Sequence, residues 1–238
     1  MTNLQIRRWL QVLLLIAIAA AAVRLVMVMR ARMTPGAPRP APARNAPLNP
    51  EAYVVPRKLY PYDLASARRL TEQPVWVKEG YRYTYFPYDA ARRRADFQHE
   101  AGLLGPIEQL RITGVVTQPT PGVARHRQVL AIFDKDGKTF AVPVGTESGK
   151  AYRIYADEMF FYEDPHQLYS FWPPQIWQEI ASHQVRPGMD EMQTAFSVGM
   201  GVPRPGGDPE RKIVNYPNGG HPLTVTYQNG KAVEVRSR

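Results

Sequence analysis

Hydrophobic and polar positions divide this chain into a long apolar opening, a stretch with almost no large apolar side chain, and a body in which the period changes several times. Trp9 to Met29 reads WLQVLLLIAIAAAAVRLVMVM, apolar but for Gln11 and Arg24. At 1.5 Å per residue such a run makes a helix about 31 Å long, near the thickness of a bilayer's hydrocarbon core. It predicts a single spanning helix, with Arg24 as an intramembrane charge close enough to one end to snorkel to the interface. A cleaved signal peptide is the rival reading, with Arg7 and Arg8 as its charged region and the alanines up to Ala22 as its cleavage site. Renewed apolar character at Leu25 to Met29 favours an uncleaved anchor. Met33 to Pro50, MTPGAPRPAPARNAPLNP, then predicts an extended proline-rich tether.

In the body, Leu64, Ala67 and Leu70 recur at helical spacing behind Asp63, a good N-cap. Val75 to Tyr88 switches to period two, which predicts a strand with Tyr81, Tyr83 and Tyr85 on one face. That row is a candidate protein-binding stripe, or a half-buried strand face whose hydroxyls reach water. Ala90 to Glu100 is charged and reads as a helix. Leu110 to Gln118, Gln128 to Phe133 and Thr139 to Val144 read as an antiparallel meander, with Asp136-Gly137 at a hairpin turn. Tyr152 to Tyr162 adds a fourth strand suited to a small barrel.

The last quarter predicts a helix over Pro174 to Gln184 with Ile176, Trp177 and Ile180 inward. A second follows from Met189 to Val198, capped by Asp190 and stopped at Gly199. Strands at Lys212 to Tyr216, Pro222 to Tyr227 and Lys231 to Val235 come next, with turns at Asn218-Gly219-Gly220 and Asn229-Gly230. Met192, Phe196 and Val198 are expected to pack on the meander face that carries Leu223, Val225 and Tyr227.

The fold class is therefore α+β: a single N-terminal transmembrane helix, a proline-rich tether, an antiparallel meander or small barrel, and a C-terminal ααβββ domain. The corresponding domains are 1–32, 33–52, 53–170 and 171–238.

Charge sharpens this picture. Seven arginines and no acid in residues 1–50 supply +7 of the formal +9, while residues 51–238 hold 23 basic and 21 acidic residues. The basic character belongs to the opening, and the body lacks the concentrated positive charge of a nucleic-acid binder. The absence of cysteine removes disulfides, thiolate zinc sites and thiol nucleophiles. His99, His126, His166, His183 and His221 include no i, i+4 pair for a metal. A glycine-rich phosphate loop and a GxSxG elbow are also missing. Asp157, Glu158, Glu163, Asp164 and His166 form the densest acidic cluster, a conceivable divalent-cation site, with solvated acids beside a strand as the plainer account. No cofactor is implied and the chain reads as a non-enzyme.

Gly188-Met189-Asp190 opening a helix, Gln193 within it, Val198-Gly199 ending it, Pro203 soon after and LTVTYQNGKAVEV from Leu223 to Val235 carry a family likeness. In these features the C-terminal region, about 175–238, resembles the SmpA/OmlA family, the BamE-like small domains of bacterial outer-membrane assembly lipoproteins. Thr194 stands where that family usually has valine, Pro203 falls two residues late and the lipid-bearing cysteine is missing, so lipidation is not implied and the family's partner-binding and lipid-binding residues are not carried over. The resemblance implies a binding or assembly module of a bacterial envelope. The positive-inside count, taken literally, puts the folded part in the cytoplasm, whereas the resemblance and the signal-like opening imply export. The adopted expectation is a single-pass inner-membrane protein with a periplasmic body, a protein-binding scaffold or assembly factor whose partners are the bilayer and other envelope proteins, with no nucleic acid. The alternatives are an accessory subunit of a larger inner-membrane complex and a metal-binding or enzymatic module using the 157–166 acids.

Overall fold

The computed structural model describes residues 19–30, 50–123, 125–205 and 211–237. Residues 19–30 lie in a helix, α1. Among the described residues no helix is long and apolar enough to cross a membrane. The expected spanning helix, and the single-pass inner-membrane placement with a periplasmic body that rested on it, are corrected on this finding. Residues 9–18 of that expected span, and residues 31–49 of the expected tether, lie outside the described residues.

The fold class is corrected as well. In place of a membrane helix, one meander or small barrel and an ααβββ domain, the chain is mixed α/β with three antiparallel sheets. Residues Pro50–Arg238 make up one compact unit and Met1–Asn49 another.

Local sequence explains most of the elements in the larger unit. Asp63 accepts from the Ser66 amide while Ser66 Oγ accepts from the Asp63 amide, a reciprocal box that opens α2 (Leu64–Ala67), continued by a 3-10 turn at Arg68–Thr71. A seven-stranded sheet follows, built from β2 (Thr84–Asp89), β3 (Arg94–Ala95), β4 (Gly102–Leu103), β6 (Ile112–Pro119), β7 (His126–Lys135), β8 (Lys138–Ser148) and β9 (Ala151–Ile154). Its main path runs β3-β2-β8-β7-β6, with β4 on β2 and β9 on β8, and it curls into half a barrel. The small second sheet has the order β10-β1-β5, formed by β1 (Val75–Val77), β5 (Gln109–Leu110) and β10 (Phe160–Phe161).

Strand β7 is buried at five consecutive positions, Val129 to Phe133. The reason is that both faces of the sheet are covered. Val129, Ala131 and Phe133 face the main core with Leu70, Val75, Leu104 and Phe160. Leu130 and Ile132 face a second cluster with Ala95, Phe86, Tyr88 and Phe97. The lid of that second cluster is the segment expected to be a helix at 90–100. It is instead a tight turn into β3: Asp89 accepts from the Arg92 amide and Arg93 has φ +51°. Buried Gln118 fixes it by bonding both the amide and the carbonyl of Ala95. A helix there would spend the Ala95 amide and carbonyl on its own turns and leave the buried Gln118 side chain without these partners.

The expected strand over 152–162 is interrupted by a helical turn, α3 (Ala156–Met159), before β10. Then come α4 (Pro165–Leu168), α5 (Pro174–Ala181), α6 (Glu191–Val198) and a four-stranded sheet of β11 (Val202–Pro203), β12 (Arg211–Tyr216), β13 (Leu223–Gln228) and β14 (Lys231–Ser237), in that order across the sheet. Phe196 does not lie on this meander. It packs among Phe161, Tyr169 and Trp172, with ring centroids 5.2 to 5.7 Å away, while Val198 alone of the expected trio reaches Val214, Val225 and Tyr227. Met192 is exposed. The helix therefore faces two clusters, because an α-helix turns 100° per residue and Phe196 and Val198 diverge. Gly199 ends it at φ +80° beneath Tyr81, where a Cβ would lie 2.5 Å from the Gly80 carbonyl oxygen and 2.9 Å from the Tyr81 ring.

Candidate functional site

The site is assembled at the outer edge of the four-stranded sheet. Asn229 and Gly230, with φ of 51° and 75°, make the two-residue turn that fixes the β13–β14 register. Gln228 therefore faces Lys231, and Tyr227 faces Ala232. The ladder then shifts between Thr226 and Tyr227, so that Thr226 pairs with Glu234 and Val233 is the extra residue. Beyond this bulge Val225 pairs with Val235, Thr224 with Arg236 and Leu223 with Ser237.

Alternation along an antiparallel strand decides which backbone groups are used. Ala232 points away from β13, and its N–H and C=O bond the Met189 carbonyl and the Gly188 amide at 2.7 and 2.8 Å. The loop before α6 thus closes the edge at that residue. Glu234 and Arg236 turn their backbone groups to β13, which leaves those of Val235 and Ser237 facing outward. Among the described residues nothing pairs with these outward groups.

Beside this open stretch is a cleft of about 480 Å³ lined by Val235, Ser237, Leu223, His183, Val185 and His221, among others. Val185, Leu223 and Val235 form its apolar side, continuous with the core under the sheet. His183 and His221 supply its polar side. His183 Nδ1 donates to the Ser197 carbonyl at 2.9 Å, which leaves Nε2 as the lone-pair nitrogen of the neutral ring. The loop carrying His183 is tied to α6 by Ser197 Oγ, which donates to the Gln184 carbonyl at 2.7 Å. Below the sheet Tyr216 and Tyr227 share a hydroxyl–hydroxyl bond of 2.7 Å. Burial pushes the Tyr227 hydroxyl up to about 12 and the Tyr216 hydroxyl higher still, so both stay neutral phenols and one donates to the other.

The three tyrosines of the expected stripe are separated. Tyr81 has φ +59° in a turn, and its ring lies against Gly199 and Gly219. Tyr83 is half-buried, with its hydroxyl 3.3 Å from Glu79. Tyr85 is in the core, edge-on to Phe133 and Phe140. The alternation predicted for one strand fails because the chain turns between β1 and β2. Arg24 lies exposed on α1.

The acids at 157–166 do not converge. Asp157 accepts from the amides of Leu59 and Tyr60 at 3.1 and 2.9 Å and from the Tyr162 hydroxyl at 2.7 Å. Glu163 accepts from the Arg57 amide. Asp164 caps α4 through the His166 amide, and the His166 ring stacks on Trp177 at 4.0 Å. Most of the cluster thus anchors backbone, and among the described residues no three His, Cys, Asp or Glu side chains are grouped to hold a metal. A larger cleft, about 600 Å³, lies by Arg92 and Arg94. Its acids are spent locally, Asp89 on the Arg92 amide and Asp96 on the Gln98 amide and His99.

No protein-family model, no curated protein and no solved structure matches this chain. The edge and its cleft were not visible as a site in the sequence. The alternation of Leu223 to Tyr227 and the Asn229-Gly230 turn mark the strands, but openness of an edge depends on what folds beside it. His183 and His221 were legible only as histidines without a metal spacing.

Proposed function

We propose that the Pro50–Arg238 unit is a non-catalytic protein-binding module, a scaffold or assembly factor, that takes an extended segment of a partner protein as an added strand on β14. The observation that carries this reading is the outward backbone of Val235 and Ser237, unpaired among the described residues, beside a cleft that offers apolar and imidazole contacts. Strand addition draws affinity from main-chain hydrogen bonds and selectivity from pockets for alternate side chains. Proteins normally blunt open edges with charges, bulges or covering loops. Here the bulge at Val233 and the 188–189 loop protect only the first half of β14. The likeness of the C-terminal region to assembly lipoprotein domains points the same way.

The test uses Val235→Pro. Proline removes the outward N–H while leaving the bonds between β13 and β14 in place, as is tolerated on an edge strand. Proteins that bind the full chain are identified by quantitative mass spectrometry with wild type and variant as bait. The expected result is at least one partner lost from the variant, with slowed amide exchange at Val235 and Ser237 when that partner is added to wild type. A binding profile independent of Val235, at matched melting temperature, would remove this reading.

A further inference from the structure

The open stretch of β14 is complementary to itself. Side chains of Glu234 and Arg236 share the outer face of the sheet opposite Thr226 and Thr224. They ion-pair at 2.7 Å, with side chains 41% and 72% exposed. Val235 between them faces the core side and the cleft. Two antiparallel copies related by a two-fold axis must set outward-facing backbone against outward-facing backbone. Centred on Arg236, that pairing would put Arg236 opposite its own equivalent, a like-charge contact that destabilises a sheet. Centred on Val235, it puts Glu234 opposite Arg236 and Arg236 opposite Glu234, while the two Val235 residues exchange both of their backbone hydrogen bonds. The charge order of Glu234-Val235-Arg236 therefore selects one register.

We infer that a second copy of this chain occupies the edge when no other partner does, joining two four-stranded sheets through β14 in the register centred on Val235. In that register the second copy's Val235 enters the mouth of the cleft beside Val185 and Leu223, which removes apolar surface that the monomer leaves open. The 188–189 loop at Ala232 bounds the paired stretch, so the contact is short and exchangeable. Self-pairing and partner docking use the same backbone groups and exclude one another. The inference rests on the strand-addition reading of this edge and adds its occupant.

Charge complementation tests it. Two differently tagged full chains are mixed and co-capture is measured for wild type, Glu234→Arg, Arg236→Glu, the two single variants together and the double exchange. The expected pattern is co-capture for wild type, its loss for either single variant with itself, and recovery both for Glu234→Arg mixed with Arg236→Glu and for the double exchange. Failure of wild-type copies to co-capture, co-capture indifferent to these charges, or no recovery in the mixed pair would each overturn the inference. The positions are exposed enough that all variants should melt with wild type. The two readings fail separately: a partner lost with Val235→Pro but still bound by Glu234→Arg keeps strand addition even where self-pairing is overturned.

Discussion

Tyr216 and Tyr227 place two phenols where only their neutral forms fit. An exposed tyrosine ionises near pH 10, whereas burial holds Tyr227 up to about 12 and Tyr216 higher. The folded chain keeps protons that the unfolded chain has released, so their contribution is complete below pH 10 and disappears as pH rises through 12. Urea midpoints should fall across that window, and the fall should be shallower in the Tyr216→Phe, Tyr227→Phe double variant; an equally steep fall would place the alkaline sensitivity elsewhere. Phe196 carries a different residue-scale weight. Its ring is enclosed by Phe161, Tyr169 and Trp172, and truncation leaves a cavity that those large rings cannot collapse into. Phe196→Ala should cost about 3–5 kcal/mol in equilibrium unfolding and alter Trp172 fluorescence. The size of this effect was foreseeable from an apolar position on a capped helix, but its neighbours were not.

At the scale of elements, α6 shows what short-range chemistry controls. Asp190 accepts from the Gln193 amide and Gln193 returns a bond to the Asp190 amide, while Asp190 also meets Lys231 at 3.2 Å. Asp190→Ala should lower stability by about 1 kcal/mol and speed exchange of the Gln193 amide; unchanged exchange would mean that packing alone holds the first turn. The cap was readable because it lies within four residues of its partners. The β2–β3 turn shows the opposite. Ala90 to Glu100 has the charge and spacing of an exposed helix, yet the buried side chain of Gln118 supplies bonds to Ala95 from 23 residues away. A polar residue that satisfies distant backbone leaves no local signature. The same holds for the tyrosines, whose alternation at 81, 83 and 85 is broken by the turn before β2.

Across the whole larger unit, the segment from Pro50 to Tyr62 acts as a strap. Trp172 Nε1 donates to Glu51 at 2.8 Å at one end, Glu163 receives the Arg57 amide in the middle, and Asp157 receives the amides of Leu59 and Tyr60. Val54 joins the aromatic cluster around Phe196 and Leu59 joins the core under the half-barrel. The strap thus ties together two packing centres that lie on either face of the β10-β1-β5 sheet. Asp157→Ala should strand the Leu59 amide and the Tyr162 hydroxyl, both on buried residues, at a cost of about 1–3 kcal/mol. Hydrogen exchange at Leu59 and Tyr60 should quicken before any global change; protection equal to wild type would show that Leu59 packing suffices.

Local order was written in this chain wherever the physics is local. Helix caps at Asp63 and Asp190, the stop at Gly199, the Asn229-Gly230 turn and the alternation of β13 follow from bonds and steric limits spanning a few residues. An apolar run likewise declares that it must leave water, but not what will cover it. That decision belonged to tertiary structure: β7 is buried on both faces because a distant turn folds over it, and the acids at 157–166 hold a strap because the chain brings residues 57–60 to them. The open half of β14 has the same origin. Whether a strand edge is covered depends on the path of the 188–189 loop, and that path is fixed by packing contacts no sequence period encodes.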